Sequence, residues 1–177
     1  MNEALLRPLF SSAEIAGRLQ QLAHEISRSL PPDFAIVSIL KGSFVFAADL
    51  VRALAGQGMN PAVDFMILSS YGGATQSSGR VRLLRDTEIE VAGRNILLVD
   101  DILDSGHTLA FARQHLLARH AKEVRLCVLL EKARRPGNPP ERADFVGFSC
   151  PDAFVVGYGM DHDHKFRGLP HIAALCQ

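Results

Sequence analysis

The chain has 177 residues, 47% of them apolar and 21% charged, a size and mix suited to one compact soluble domain with a substantial core. Nineteen basic side chains balance nineteen acidic ones, so no net field draws the whole molecule to nucleic acid or to an anionic membrane, and any anion it binds has to be caught locally. The three cysteines, Cys127, Cys150 and Cys176, are odd in number and scattered, which points to reduced thiols and a cytoplasmic setting, while neither a signal peptide nor a run of eighteen apolar residues is present.

In chain order, Ile15, Leu19, Leu22 and Ile26 recur at helical spacing, which predicts an amphipathic helix over Ser12 to Leu30 with Ser11 or Ser12 as N-cap and Pro31-Pro32 as the stop. Short apolar runs of strand length follow: AIVSIL, VDFMIL, NILLVD, VRLCVLL, DFVGFS and FVVGYG. Their wealth of β-branched residues marks them as buried strands. Helical candidates, Phe44 to Leu54 and His107 to His120, lie between some of them. The alternation predicts an α/β fold with a mostly parallel twisted sheet flanked by helices. The segment SSYGGATQSSGR has no apolar face and reads as a mobile surface loop. No repeat and no interdomain linker interrupts the chain, so residues 1–177 are expected to form a single domain.

The chemistry concentrates in NILLVDDILDSGHTL, from Asn95 to Leu109. An apolar strand runs into two adjacent acids, and Asp104, Ser105, Gly106, His107 and Thr108 then open a helix. In open α/β sheets ligands sit beyond the carboxyl ends of strands, where a helix N-terminus offers unpaired N–H groups and a positive dipole end. The hydroxyls of Ser105 and Thr108 and the closely approaching backbone at Gly106 suit a 5-phosphate. Asp100 and Asp101 carry carboxylates that can accept hydrogen bonds from two vicinal ribose hydroxyls or position hydrated magnesium. A phospho-accepting receiver domain also ends an early strand in paired acids, but here the pair stands at 100 and 101. A P-loop is excluded because GGATQSSGR lacks both its spacing and its Lys-Ser/Thr pair.

These residues, at 96–109, resemble the phosphoribosyl-pyrophosphate motif of the type I phosphoribosyltransferases, and four further segments are similar to the hypoxanthine-guanine branch of that family. The resemblance spans Ala35 to Leu175. It implies the type I phosphoribosyltransferase fold with a small C-terminal hood that carries the base pocket. In Leu40-Lys41-Gly42-Ser43, Lys41 and Gly42 would hold pyrophosphate after a cis Leu40-Lys41 bond, with Ser43 where many members have a second glycine. Ser70 and Tyr71 would start a catalytic lid at about 70–80. Lys132, ending Leu130-Glu131-Lys132, would donate to O6 of the base. Phe154 would stack on the base and Val155 would read its edge through the backbone. Asp161 would line the base site and bind a second magnesium, and Arg167 would hold pyrophosphate.

The implied activity is purine salvage, in which hypoxanthine or guanine and 5-phosphoribosyl 1-pyrophosphate give the nucleoside monophosphate and pyrophosphate, with Mg²⁺ held by Asp100, Asp101 and Asp161. Asp104 would be the acid/base at N7 of the purine. The resemblance also implies a homodimer or homotetramer. Another purine or orotate transferase, or a regulatory protein of the same fold that senses the pyrophosphoryl sugar, stays open as an alternative. Two departures stand out. His107 takes a position often held by lysine or arginine, which would make phosphate affinity pH-sensitive, and His162-Asp163-His164 replaces a stretch that usually begins with tyrosine. That triplet has too few ligands for a zinc site and reads as a solvated loop.

Overall fold

The computed structural model describes residues 6–71, 80–133 and 141–176. Its elements are β1 (Leu6–Phe10), α1 (Ser12–Ser29), β2 (Phe34–Leu40), α2 (Phe44–Gly56), β3 (Ala62–Tyr71), β4 (Arg80–Arg85), β5 (Asn95–Leu103), α3 (His107–Ala118), β6 (Glu123–Lys132), β7 (Phe145–Cys150), β8 (Val155–Val156) and β9 (Ile172–Leu175). Ser11 caps α1 through a capping box: its hydroxyl accepts from the Glu14 amide, and the Glu14 carboxylate accepts from the Ser11 amide at 2.8 Å. Two orphan N–H groups are satisfied reciprocally, which places the helix start.

Six strands form one sheet in the order β4-β3-β2-β5-β6-β7, parallel except for the β3–β4 pair. Alternating side chains of the central strands feed two cores. Ile36, Leu97, Val99 and Leu129 pack under α1 and α2. Val37, Leu98, Leu126 and Val128 pack under α3 with Leu109, Ala112 and Leu116. Both faces are covered, so these strands read as continuous apolar runs rather than alternating ones. Each such fully buried side chain contributes about 1.5–3 kcal/mol.

From β2 the chain passes through α2 to β3 on one side, and from β5 through α3 to β6 on the other. The carboxyl ends of β2 and β5, neighbours in the sheet, therefore diverge and leave a crevice between them. This is the topological switch point at which open α/β sheets bind ligands.

A second, antiparallel sheet of order β1-β9-β8 forms the hood. Two expectations need correction here. FVVGYG does not continue the parallel sheet: only Val155–Val156 is strand, and it pairs with β9. The glycines beyond it take positive φ, 96° at Gly157 and 103° at Gly159, which ends the strand in a tight strap. SSYGGATQSSGR is not loop throughout, because Ser69 to Tyr71 ends β3 and Arg80 begins β4, paired across the sheet. Residues 72–79 of the expected lid lie outside the described residues. Among the described residues no helix is long and apolar enough to cross a membrane.

Candidate active site

The crevice at the switch point is a cleft of about 240 Å³. Lys41 and Gly42 line it from the end of β2, Asp100 and Asp101 from the end of β5, and Asp104, Ser105, Gly106 and Thr108 from the turn into α3. Gly106 caps α3 in the left-handed region, φ 81°, a conformation that glycine adopts without steric cost. The first-turn amides of the helix are thereby aimed at the cleft mouth, where they suit an anion.

The pyrophosphate-loop candidate is tightly constrained. The Leu40-Lys41 peptide is cis. A Cβ on Gly42 would stand 1.7 Å from Oδ2 of Asp101, so no side chain fits at Gly42 while that carboxylate stays. Behind the loop, Ser43 and Ser38 are fully buried and their hydroxyls lie 2.7 Å apart. Ser43 donates to the Ile39 carbonyl, which leaves Ser38 as donor to Ser43 and ties the loop to β2.

The two acids of β5 are unequal. Asp100 is buried, 7% exposed, and its carboxylate accepts from the Asp101 amide at 3.0 Å. Burial first, and then the charge of Asp101, push its pKa well above the usual carboxylate range. Burial raises Asp101 as well, against the pull of its bond with Asp100, of backbone amides and of the Arg167 guanidinium. Arg167 is a hood cation whose charge is felt at Asp101. One of its nitrogens lies 2.6 Å from Oδ1 of Asp161, and the other donates to the Gly159 carbonyl at 2.7 Å.

Lys132 is not a solvated lysine. Its side chain is 12% exposed, it donates to Oδ2 of Asp104 at 3.1 Å, and Asp152 lies 4.0 Å away. Phe154 directly precedes β8 and is 49% exposed. Its main chain is anchored where the Leu175 amide donates to the Phe154 carbonyl at 2.8 Å. Val155 is buried in β8.

The fold thus brings Lys41, Gly42, Asp100, Asp101, Asp104, Ser105, Gly106 and Thr108 to one cleft and attaches Lys132 to it through Asp104, whereas Arg167 does not line that cleft and pairs with Asp161. His107 is not among the lining residues, and its Nδ1 is buried with no hydrogen-bond partner among the described residues. Ser70 and Tyr71 contribute backbone to the end of β3.

Sequence reasoning passed over several supporting residues. Gly159 brings the hood strap so close to the turn after β2 that a Cβ there would lie 2.3 Å from the Gly42 carbonyl. Tyr158, between the two strap glycines, donates its hydroxyl to Asp49 of α2. The Gly-Tyr-Gly spacing was the available signal, since glycines flanking one aromatic suit a strap pressed against other backbone.

The phosphoribosyl transferase domain model matches residues 9–163. The hypoxanthine phosphoribosyltransferase of Escherichia coli K12 is 40% identical over 168 residues, covering 93% of this chain and 92% of that protein. A crystal structure of a hypoxanthine-guanine phosphoribosyltransferase from Bacillus anthracis, with HEPES in its active site, superposes with a TM-score of 0.85 at 38% identity, covering 95% and 97% of the two chains. The hypoxanthine phosphoribosyltransferase of Trypanosoma cruzi in complex with its product IMP gives a TM-score of 0.87 at 36% identity over 99% and 96%. With its mostly parallel sheet, its paired acids and glycine turn at the switch point, and relatives matched over nearly their whole length, the chain belongs to the phosphoribosyltransferase family, among the hypoxanthine and hypoxanthine-guanine phosphoribosyltransferases.

Proposed function

We propose that the protein joins hypoxanthine or guanine to the 5-phosphoribosyl group of 5-phosphoribosyl 1-pyrophosphate in purine salvage, and that the residues above divide the work. The carrying observation is the 3.1 Å contact between Lys132 and Asp104, which sets a donor with no acceptor capacity beside a carboxylate. A 6-oxopurine presents the complementary pair along one edge, with O6 as acceptor and N7–H as donor. Adenine offers an amino group where the lysine needs an acceptor.

N9 of the base attacks C1 of the ribose, the C1–O bond to pyrophosphate breaks, and its electron pair leaves with pyrophosphate. The proton on N7 passes to Asp104, which acts as general base in this direction and as general acid in reverse. Ser105, Thr108 and the backbone from Gly106 hold the 5-phosphate; Lys41, Gly42 and Arg167 hold pyrophosphate. Catalysis comes from positioning and from charge stabilisation in a site closed to water.

Magnesium fits the donor set. Adjacent carboxylates at Asp100 and Asp101, with Asp161 on the hood, are hard oxygen donors, and among the described residues no three His, Cys, Asp or Glu side chains converge on a common point. Magnesium is usually held by one or two carboxylates together with water and substrate phosphates. When bound it neutralises charge on the departing pyrophosphate. The assembly is a cytoplasmic homodimer or homotetramer, for which the exposed Phe44, Val63 and Phe65 offer apolar surface; sedimentation as a monomer at assay concentration would exclude it.

A spectrophotometric assay of nucleotide formation with hypoxanthine, guanine, xanthine and adenine tests the reading. Hypoxanthine or guanine should exceed adenine in kcat/KM by about 10⁴ or more, the range for a site built around a polar partner. Lys132→Gln, which can present either a donor or an acceptor, should slow hypoxanthine and narrow the gap. A ratio that stays put would move base reading elsewhere, and product with none of the bases would overturn the assignment.

A further inference from the structure

The imidazole of His162 and the ring of Phe154 stand nearly perpendicular in a T-shaped contact, with centroids 5.2 Å apart and planes at 81°. We infer that His162 is a positioning residue for base binding: it fixes the Phe154 ring in the orientation that receives the purine. The inference rests on the assignment of Phe154 as the stacking ring.

Phe154 is 49% exposed, so core packing around it is incomplete. Its backbone is held by the bond to Leu175, but that bond leaves the side-chain torsions free. A perpendicular aromatic contact restricts them, because the positive edge of one ring prefers the negative face of the other. Restricting the ring before the base arrives removes an ordering cost that binding would otherwise carry.

His162 itself stands on a stiff support. Its amide donates to the Lys165 carbonyl at 3.2 Å, and the Lys165 amide donates back at 3.0 Å. The two residues between, Asp163 and His164, both have positive φ, 49° and 62°, as a two-residue type I′ hairpin turn requires. The His164 amide also donates to Oδ2 of Asp161 at 2.8 Å. All three residues of the triplet are exposed, as expected of a solvated loop, and the hydrogen bonds hold that loop as a defined turn. Asp163 and His164 make the turn, and His162 lies at its foot against Phe154.

Steady-state kinetics with both substrates varied test this role. His162→Ala should raise KM for hypoxanthine by about 2- to 10-fold, the worth of one aromatic pair, with kcat and KM for the pyrophosphoryl sugar unmoved. His162→Phe, which keeps an aromatic edge, should restore the base KM. In Phe154→Ala the base KM should rise, and adding His162→Ala should raise it no further, since the ring it acts through is gone. Normal base binding in Phe154→Ala would sink the stacking assignment itself. Impaired Phe154→Ala beside an unaffected His162→Ala would overturn the inference alone. A parallel rise in both KM values, unrescued by His162→Phe, would overturn it too, by placing the effect in neighbouring Asp161.

Discussion

Asp100 is a residue whose site chemistry and stability point in opposite directions. Burial, with the neighbouring charge of Asp101 added, raises its pKa in the folded protein, whereas in an unfolded chain an aspartate titrates near about 3.9. The folded state therefore holds the proton more tightly, and stability declines as pH rises from below that value through the raised one. Asp100→Asn keeps the shape and removes the charge, so it should melt above wild type at pH 8 while binding the pyrophosphoryl sugar more weakly. The gain in melting temperature should vanish toward pH 3; a variant that melts lower at pH 8 would contradict this account. Asp104 accepts from Lys132 at 3.1 Å. Asp104→Asn should leave KM for the sugar in place and lower turnover by roughly 10² to 10⁴, the usual contribution of a positioned acid/base. Near-normal kcat would remove Asp104 from the proton transfer.

Between elements, Asp86 connects β4 to the end of α3. It directly follows β4, and its two oxygens meet Nε2 of His115 on α3 and a guanidinium nitrogen of Arg119, the residue that caps that helix, each at 2.8 Å. Arg119 also donates to the Thr87 hydroxyl at 2.6 Å. Burial, the largest single influence, pushes the Asp86 pKa up, but the interactions with His115, the Thr87 amide and the Arg119 guanidinium together hold it below the usual value. A depressed folded-state pKa contributes stability that is present above about pH 4 and lost as pH falls through the lower folded value. The Asp86 side chain is 36% exposed, so solvent screening limits the contribution to about 1 kcal/mol. Asp86→Ala should therefore lower the melting temperature by roughly 2–4 °C at pH 7, and the difference from wild type should close below pH 4. A deficit that persists unchanged at pH 3 would show that packing, and not charge, holds β4 to α3.

At the level of the whole molecule, hood and main sheet share one core, since Val155, Tyr158, Met160 and Ile172 belong to the same apolar cluster as α1, α2 and the central strands. The Gly159 to Gly42 approach and the Tyr158 to Asp49 hydrogen bond add polar and backbone contacts to that joint. The chain should accordingly melt in one cooperative transition. IMP, which would touch both parts, should shift that transition upward as a unit, by about 2.7 kcal/mol at a hundred times its Kd. Circular dichroism and tyrosine absorption followed on the same sample would check it. Two transitions, only one of them moved by IMP, would mean that the hood unfolds separately.

What was legible in the sequence was local. Leu97, Val99, Leu126 and Val128 lie in unbroken apolar runs because both faces of their strands are covered, and Asp100 to Thr108 falls in one continuous strand, turn and helix, so a short window carried both the core and most of the cleft lining. The hood was beyond such a window. Leu6–Phe10 pairs with Ile172–Leu175, elements from opposite ends of the chain, and the two residues of β8 are too few to show a period. Strand pairing of that separation depends on where the main sheet delivers the chain, which no local pattern encodes. For the same reason tertiary structure alone decided that Lys132 is sheltered against Asp104 rather than solvated, and that His162 meets Phe154 eight residues away. It also decided that Gly42 has no room for a side chain, because the obstructing atom belongs to Asp101, far along the chain and adjacent only once β2 and β5 lie side by side.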